Sequence, residues 1–347
     1  MSDHFDPAED DIQCPGWDAI DSSTAAIYGD QEPLHFGTLV KFALGGPDPL
    51  DGFSVFRSEK DRPHWHYVTY GFSELYEKES EELAYSGYGF ELTMRIPIEG
   101  DEPPMWVMNF FQNIARYVFS SGNTFEPGHY MDANGPLCLE TDTEITAMVF
   151  AEDPEMPGKD TPNGRVNFLQ VVGITKDELK AIKQWHSMPV VKLLSRDNPF
   201  LLTDLKRPSI MKQPDVVAAV EEGINRDGSS TGMLFVDALN WKIAGTPRKN
   251  CTISVGSLIV PELKAIVPAR LGHDKPLMLF GNDAKISLVP AAATKFEPDD
   301  AGLRLELTKD DMKTFMSKMQ ESAGVYDVLP DLKVEVIKQV IKDADAR

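Results

Sequence analysis

The sequence predicts an α+β fold of two α/β-sandwich-like domains, each a mostly antiparallel sheet packed with helices. Short apolar runs bounded by glycine and proline alternate with a few stretches of helical period. At 347 residues, 42% of them hydrophobic, the chain suffices for about two cores. The polar stretch Asp227-Gly228-Ser229-Ser230-Thr231-Gly232 offers a boundary. It leaves an acidic tail over 1–12, a first domain over 13–228 and a smaller second domain over 229–347.

Taken in order, Trp17 to Tyr28 reads as a helix, with Trp17, Ile20 and Ile27 on one face and Gly29 after its last turn. Leu39 to Leu44 is expected as a strand that Gly45, Gly46, Pro47 and Pro49 end, because proline donates nothing to a ladder. Further strands are expected at Trp65–Tyr70 and Tyr88–Arg95. Met105 to Ser120 repeats Trp106, Phe110, Ile114 and Val118 every fourth residue before Gly122, which predicts a helix with that stripe in the core. Thr143–Phe150 and Val166–Val172 read as paired strands. Thr175 with Glu178 forms a capping box for a helix through Trp185, a second helix begins at Pro189, and another follows Pro214. Beyond the boundary, strands are expected at Met233–Val236, Thr252–Leu258, Pro276–Phe280, Ile286–Val289 and Leu303–Leu307. A helix over Lys309–Ser322 follows, and Leu332–Ile341 fits strand and helix alike.

Composition narrows the function. The balance of 34 basic against 55 acidic residues gives a net charge of −21, which repels nucleic acid and favours basic partners. No apolar run reaches the ~20 residues that cross a bilayer, and the amino terminus lacks a signal peptide's basic and apolar regions, so a cytoplasmic protein without membrane contact is expected. Cys14, Cys138 and Cys251 are far apart and odd in number, which suits buried free thiols rather than a disulfide framework.

A search for chemistry finds little. His64 and His66 alternate along one strand and so share a face, the start of a metal site for an assisted hydrolase, yet the other histidines are scattered and no His-x-x-x-His or nearby carboxylate cluster completes the set. Gly87-Tyr88-Gly89 runs on into a strand and offers no helix end to a phosphate. Glu152 and Asp153 are adjacent and point apart, which does not suit an acid and base pair. No catalytic residue and no cofactor are expected.

Several rare blocks occur in one order: Leu44-Gly45-Gly46-Pro47-Asp48-Pro49-Leu50-Asp51, His64-Trp65-His66-Tyr67, Gly71-Phe72-Ser73-Glu74-Leu75-Tyr76 and Gly87-Tyr88-Gly89-Phe90-Glu91-Leu92-Thr93. Ala115-Arg116-Tyr117-Val118-Phe119, Glu152-Asp153-Pro154 and Phe168-Leu169-Gln170-Val171-Val172-Gly173 continue the series. In these blocks the chain resembles the Suppressor of fused family. The short Gly245–Asn250 connection, where animal members carry a long insertion, suggests a compact bacterial-type member.

The resemblance implies a non-enzymatic protein that grips an extended polypeptide between two domains, as animal members hold Gli-type transcription factors. Immunity against a basic toxin domain is the bacterial role it suggests, and co-regulation of transcription through protein contacts is an alternative. By position it implies partner contacts at Tyr117, Glu152, Met233 and Phe235. His129 stands where the family has an acidic residue.

Overall fold

A computed structural model describes residues 14–139, 141–247, 249–300 and 302–339. The acidic tail expected over 1–12 lies outside them. The chain divides into two compact units, one of residues up to Leu179 with Ser187–Lys212, the other of Lys180–His186 with the chain from Gln213 onward.

The elements from Pro15 to Leu194 are α1 (Pro15–Tyr28), β1 (Leu34–Gly37), β2 (Gly52–Ser58), β3 (His64–Tyr70), β4 (Tyr85–Pro97), α2 (Trp106–Ser121), β5 (Tyr130–Asp132), β6 (Ile145–Glu152), β7 (Lys159–Thr161), β8 (Gly164–Thr175), α3 (Lys176–Gln184) and α4 (Ser187–Leu194). Their strands form one eight-stranded sheet in the order β1-β2-β3-β4-β8-β6-β5, with β7 paired to β8. Pairing is antiparallel except between β4 and β8.

Alternation along the strands sorts the two faces. Phe53 and Val55, Trp65 and Tyr67, Leu92 and Met94, and Leu169 and Val171 turn to one face, where Val107, Phe111, Ile114 and Val118 of α2 cover them. The residues between them turn to the other face. There Ile20 of α1 packs on Val68, Tyr70, Val166 and Phe168, and His64, His66, Glu91, Thr93, Arg95 and Gln170 are buried.

Leu39–Leu44 is not a strand. Its place is taken by a short 3-10 turn over Phe42–Leu44, closed by Gly45 in the left-handed region at φ 86°. Leu39 and Leu44 are exposed. The ladder is supplied instead by β1 and β2, in register from Leu34 opposite Val55 to Gly37 opposite Gly52.

From Pro214 onward come α5 (Pro214–Asp227), β9 (Met233–Phe235), β10 (Asn240–Ala244), β11 (Asn250–Gly256), α6 (Val260–Leu271), β12 (Leu277–Phe280), β13 (Lys285–Pro290), β14 (Lys295–Asp299), β15 (Gly302–Leu307), α7 (Lys309–Lys318), β16 (Gly324–Leu329) and β17 (Leu332–Ile337). They build a four-stranded sheet, β10-β11-β17-β16, and a five-stranded sheet, β14-β15-β13-β12-β9. Ile253 and Val334 of the first sheet and Leu279, Leu288 and Leu305 of the second share one core with Ile266 and Val267 of α6 and Phe315 of α7. As far as it is described, the ambiguous last segment is a strand that runs parallel to β11.

Candidate functional site

A wide concavity of the first unit lies on the α2 face of its sheet. It is a groove of about 1030 Å³ walled by α2, by Met131 and Asp132 of β5, and by the segment Ala133–Leu139. The α2 helix forms because apolar side chains recur through Trp106–Ser121 without an internal proline, and Gly122, left-handed at φ 71°, stops it. Its aromatic stripe is divided: Ile114 and Val118 are buried, whereas Trp106 and Phe110 are half-buried and line the groove. The sequence reading placed all four in the core.

Tyr117 stands on this groove, 41% exposed. Its hydroxyl accepts from Asn123 Nδ2 at 2.9 Å. Its ring lies 6.0 Å from that of Phe125, which in turn stacks at 4.0 Å on Phe150 in the core. The wall residue is therefore braced by aromatic packing, while its outer face stays in solvent. Leu139, 87% exposed, and Met105 add apolar surface at the same groove.

His129 sits where the chain turns into β5, the outermost strand on this side of the sheet. Gly128 adopts φ 93°, and its amide donates to Phe150 O at 2.7 Å, while Phe150 N donates back to His129 O at 2.8 Å. The turn thus aligns Tyr130–Asp132 against Ala147–Val149. The His129 side chain is exposed, and its Nδ1 accepts from Glu126 N at 3.3 Å. Glu152 is exposed at the end of β6, with its backbone opposite Leu169. Tyr117 and His129 fall on neighbouring segments of this unit, and Tyr117 alone of the expected contacts lines the groove.

Met233 and Phe235 belong to the second unit. They lie on β9, the edge strand of the five-stranded sheet, and are 55% and 78% exposed. Met278 N donates to Gly232 O at 3.0 Å and Val236 N donates to Phe280 O at 2.7 Å. Main-chain groups alternate along a strand, so those of Leu234 also face β12, and those of Met233 and Phe235 face away from it. That outward edge has no strand partner among the described residues.

His64 and His66 occupy the opposite face of the first sheet from the groove, in a buried polar network. His66 Nδ1 is 2.8 Å from the Tyr28 hydroxyl, and its Nε2 is 3.3 Å from Asp153 Oδ2. Burial, reinforced by the nearby Arg95 guanidinium, lowers the His66 pKa to about 4. Asp153 resists the upward push of burial because Arg95 and His66 hold its carboxylate well below the usual range. His64 Nδ1 is 2.8 Å from Arg62 O. Among the described residues no three His, Cys, Asp or Glu side chains group as they would around a metal. A fixed guanidinium beside these imidazoles also makes the spot a poor one for a second cation. Asp153 went unnoticed as the centre of this network, since nothing local in sequence marks its pairing with Arg95.

The comparisons agree with this geometry. A family model described as Suppressor of fused protein matches residues 46–208. The human Suppressor of fused homolog is 38% identical over 234 residues, 62% of this chain and 48% of the relative, so the chain spans about half that protein's length. The crystal structure of Drosophila Suppressor of Fused matches with TM-score 0.79 at 22% identity, over 96% of this chain and 99% of that one, which supports the fold. A chain of the Sufu–Fu complex crystal structure matches with TM-score 0.56 at 32% identity, over 59% of this chain and 97% of that one. No described helix is long and apolar enough to cross a membrane. With the sheet, the ordered blocks along it and these likenesses in agreement, the chain belongs to the Suppressor of fused family.

Proposed function

We propose that this chain is a non-enzymatic binding protein that takes up an extended segment of another polypeptide, with Tyr117 as the anchor on the first unit. The groove beside Tyr117 carries the reading. At about 1030 Å³ it is lined mainly by apolar side chains, bears a few polar groups at Asn109 and Asn113 of α2 and Asp132 of β5, and borders the edge strand β5. A guest of this kind is held by main-chain hydrogen bonds at a strand edge and chosen by side-chain pockets. The outward edge of β9, with Met233 and Phe235 exposed, is a second surface of the same chemistry, and the exposed Glu152 and His129 of the first unit would add polar contacts to the guest.

The net charge of −21 favours a basic guest. A basic toxin domain is the partner that suits a bacterial immunity role, and a transcription factor suits co-regulation. The Sufu–Fu complex supports a protein partner for a chain of this family.

Affinity capture from the native host tests the proposal, using the intact protein and its Tyr117→Ala variant as parallel baits. One dominant basic polypeptide at near-equal amounts on the intact protein, reduced at least roughly tenfold on the variant, is the expected result. An equal yield on both baits removes the groove from the binding surface.

A further inference from the structure

A second concavity of the first unit lies on the other face of the sheet, between α1, the segment leading into β1, and β2. It has a volume of about 350 Å³, enough for one side chain or a small molecule. Its walls are the rings of Trp17, His35, Phe56 and Tyr70, with the carboxylates of Asp21 and Glu32. Trp17 stacks on Tyr70 at 4.4 Å, and His35 meets the Tyr70 ring edge-on at 5.7 Å. Tyr70 is buried, whereas Trp17 is half-buried and His35 exposed, so the aromatic surface opens to solvent rather than closing into core.

A directed chain of hydrogen bonds runs along the pocket. The Ser54 hydroxyl donates to Tyr70 Oη at 3.1 Å, and Tyr70 donates to Asp21 Oδ1 at 2.9 Å. His35 Nδ1, 3.2 Å from Ser54 Oγ, is then the donor to that oxygen. The chain ends on Asp21 and holds its carboxylate against the aromatic wall. No lysine or arginine lines the pocket, and among the described residues none pairs with Asp21 or Glu32. Aromatic faces joined to carboxylates, with no lysine or arginine on the walls to neutralise them, attract a positive charge through the ring quadrupole and through Coulomb's law. A neutral or anionic guest would gain neither. Residues 1–13 of the chain itself hold Asp3, Asp6, Glu9, Asp10 and Asp11 and no lysine or arginine, so a guanidinium or a lysine ammonium cannot come from them.

We propose that this pocket receives an organic cation, the guanidinium or alkylammonium head of a basic side chain on a partner polypeptide. The proposal rests on residues apart from the groove at Tyr117 and stands whether or not that groove holds a peptide.

Titration of the whole protein tests it, with the Trp17 indole N–H followed by NMR and assigned through Trp17→Phe. N-acetyl-arginine amide, tetramethylammonium and the neutral isostere neopentanol are the probes. Expected is a saturable shift with the arginine derivative, binding at least as tightly as tetramethylammonium and roughly tenfold tighter than neopentanol. Asp21→Asn, which keeps an acceptor for Tyr70 at an exposed position, should weaken the arginine derivative about fivefold with an unchanged circular dichroism spectrum. Equal binding of neopentanol, indifference to Asp21→Asn, or no saturation by about 100 mM would overturn the proposal. Saturation by tetramethylammonium alone would overturn the side-chain assignment.

Discussion

Arg95 and Asp153, 58 residues apart in sequence, form a two-pronged ion pair inside the first sheet: Nη1 donates to Oδ2 at 2.7 Å and Nη2 to Oδ1 at 3.0 Å. Neither side chain is exposed. Thr93 Oγ1 also donates to Oδ2, at 2.6 Å, and Oδ1 accepts the amides of Glu155 and Met156 at 2.8 and 2.9 Å. The carboxylate therefore fixes the chain where it leaves β6, and the guanidinium holds that carboxylate.

Replacing Arg95 by Met should cost about 3–5 kcal/mol in urea unfolding, because it strands a buried charge. The double variant Arg95→Met, Asp153→Asn should be less damaged than the two single losses added together, by at least about 1 kcal/mol. Strict additivity would show that the two groups are not coupled. Because the Asp153 pKa is lowered on folding, its contribution is full at neutral pH, starts to fall only as the solution is acidified into the ordinary carboxylate range, and is gone only once the pH drops through the group's own, lower pKa.

Glu91 titrates in the opposite sense. Burial pushes its carboxyl up to about 7, against the pull of the hydroxyls of Ser73 and Thr69 and the amides of Ser73 and Gly71. A raised acid pKa means that the folded state favours the protonated form. Stability from this group is highest below the ordinary carboxyl range and falls as pH rises toward 7, by roughly 3 kcal/mol at most. Glu91→Gln keeps an acceptor for Gly71 and Ser73, and the difference between variant and parent stability should change between about pH 4.5 and 7. A difference that stays flat across that window would show that Glu91 does not titrate there.

Strand alternation carried much of this fold in plain view. His64 and His66 do share a face, and Thr175 N meets Glu178 Oε2 at 2.9 Å, one half of the expected capping box, while the Glu178 amide goes to Asp177 Oδ1 rather than to the Thr175 hydroxyl. What alternation cannot show is the opposite wall: the pairing of Arg95 with Asp153 depends on β4, β8 and β6 lying side by side, a long-range register. The helix α6 was missed because Pro268 falls inside Val260–Leu271, and proline inside a helix ordinarily argues against one. Leu39–Leu44 misled for the converse reason, since apolar composition there belongs to an exposed turn. Tyr117 was named by family resemblance, whereas the groove it lines needed Trp106 and Phe110 on α2 to face the segment beyond β5.

Gly223 in α5 tests packing against propensity. Alanine in a helix interior ordinarily gains about 1 kcal/mol over glycine. A Cβ here would stand 2.1 Å from Trp185 Cε2 and 2.3 Å from its Cζ2. That ring is held, since its Nε1 donates to Asp227 Oδ2 at 2.9 Å. Overpacking should win, so Gly223→Ala is expected to lower stability by about 1–2 kcal/mol net in urea unfolding. A stabilised variant would mean that the indole moves freely.

The edge of β9 gives a sharper test, because proline reads which way a backbone N–H points. The Phe235 N–H faces away from β12 and has no strand partner among the described residues, so Phe235→Pro removes nothing from the described ladder and should shift stability by less than about 1 kcal/mol. Leu234→Pro removes an N–H that faces β12 and buried apolar surface with it, and should cost about 3 kcal/mol or more. If a guest strand docks on this edge, Phe235→Pro also deletes one of its donors and should weaken the guest about tenfold while the fold survives. Urea unfolding of both variants, followed by guest titration of Phe235→Pro, separates the two effects. A Phe235→Pro protein as unstable as Leu234→Pro would show that this edge is already occupied within the folded chain, and would remove β9 from the binding surface.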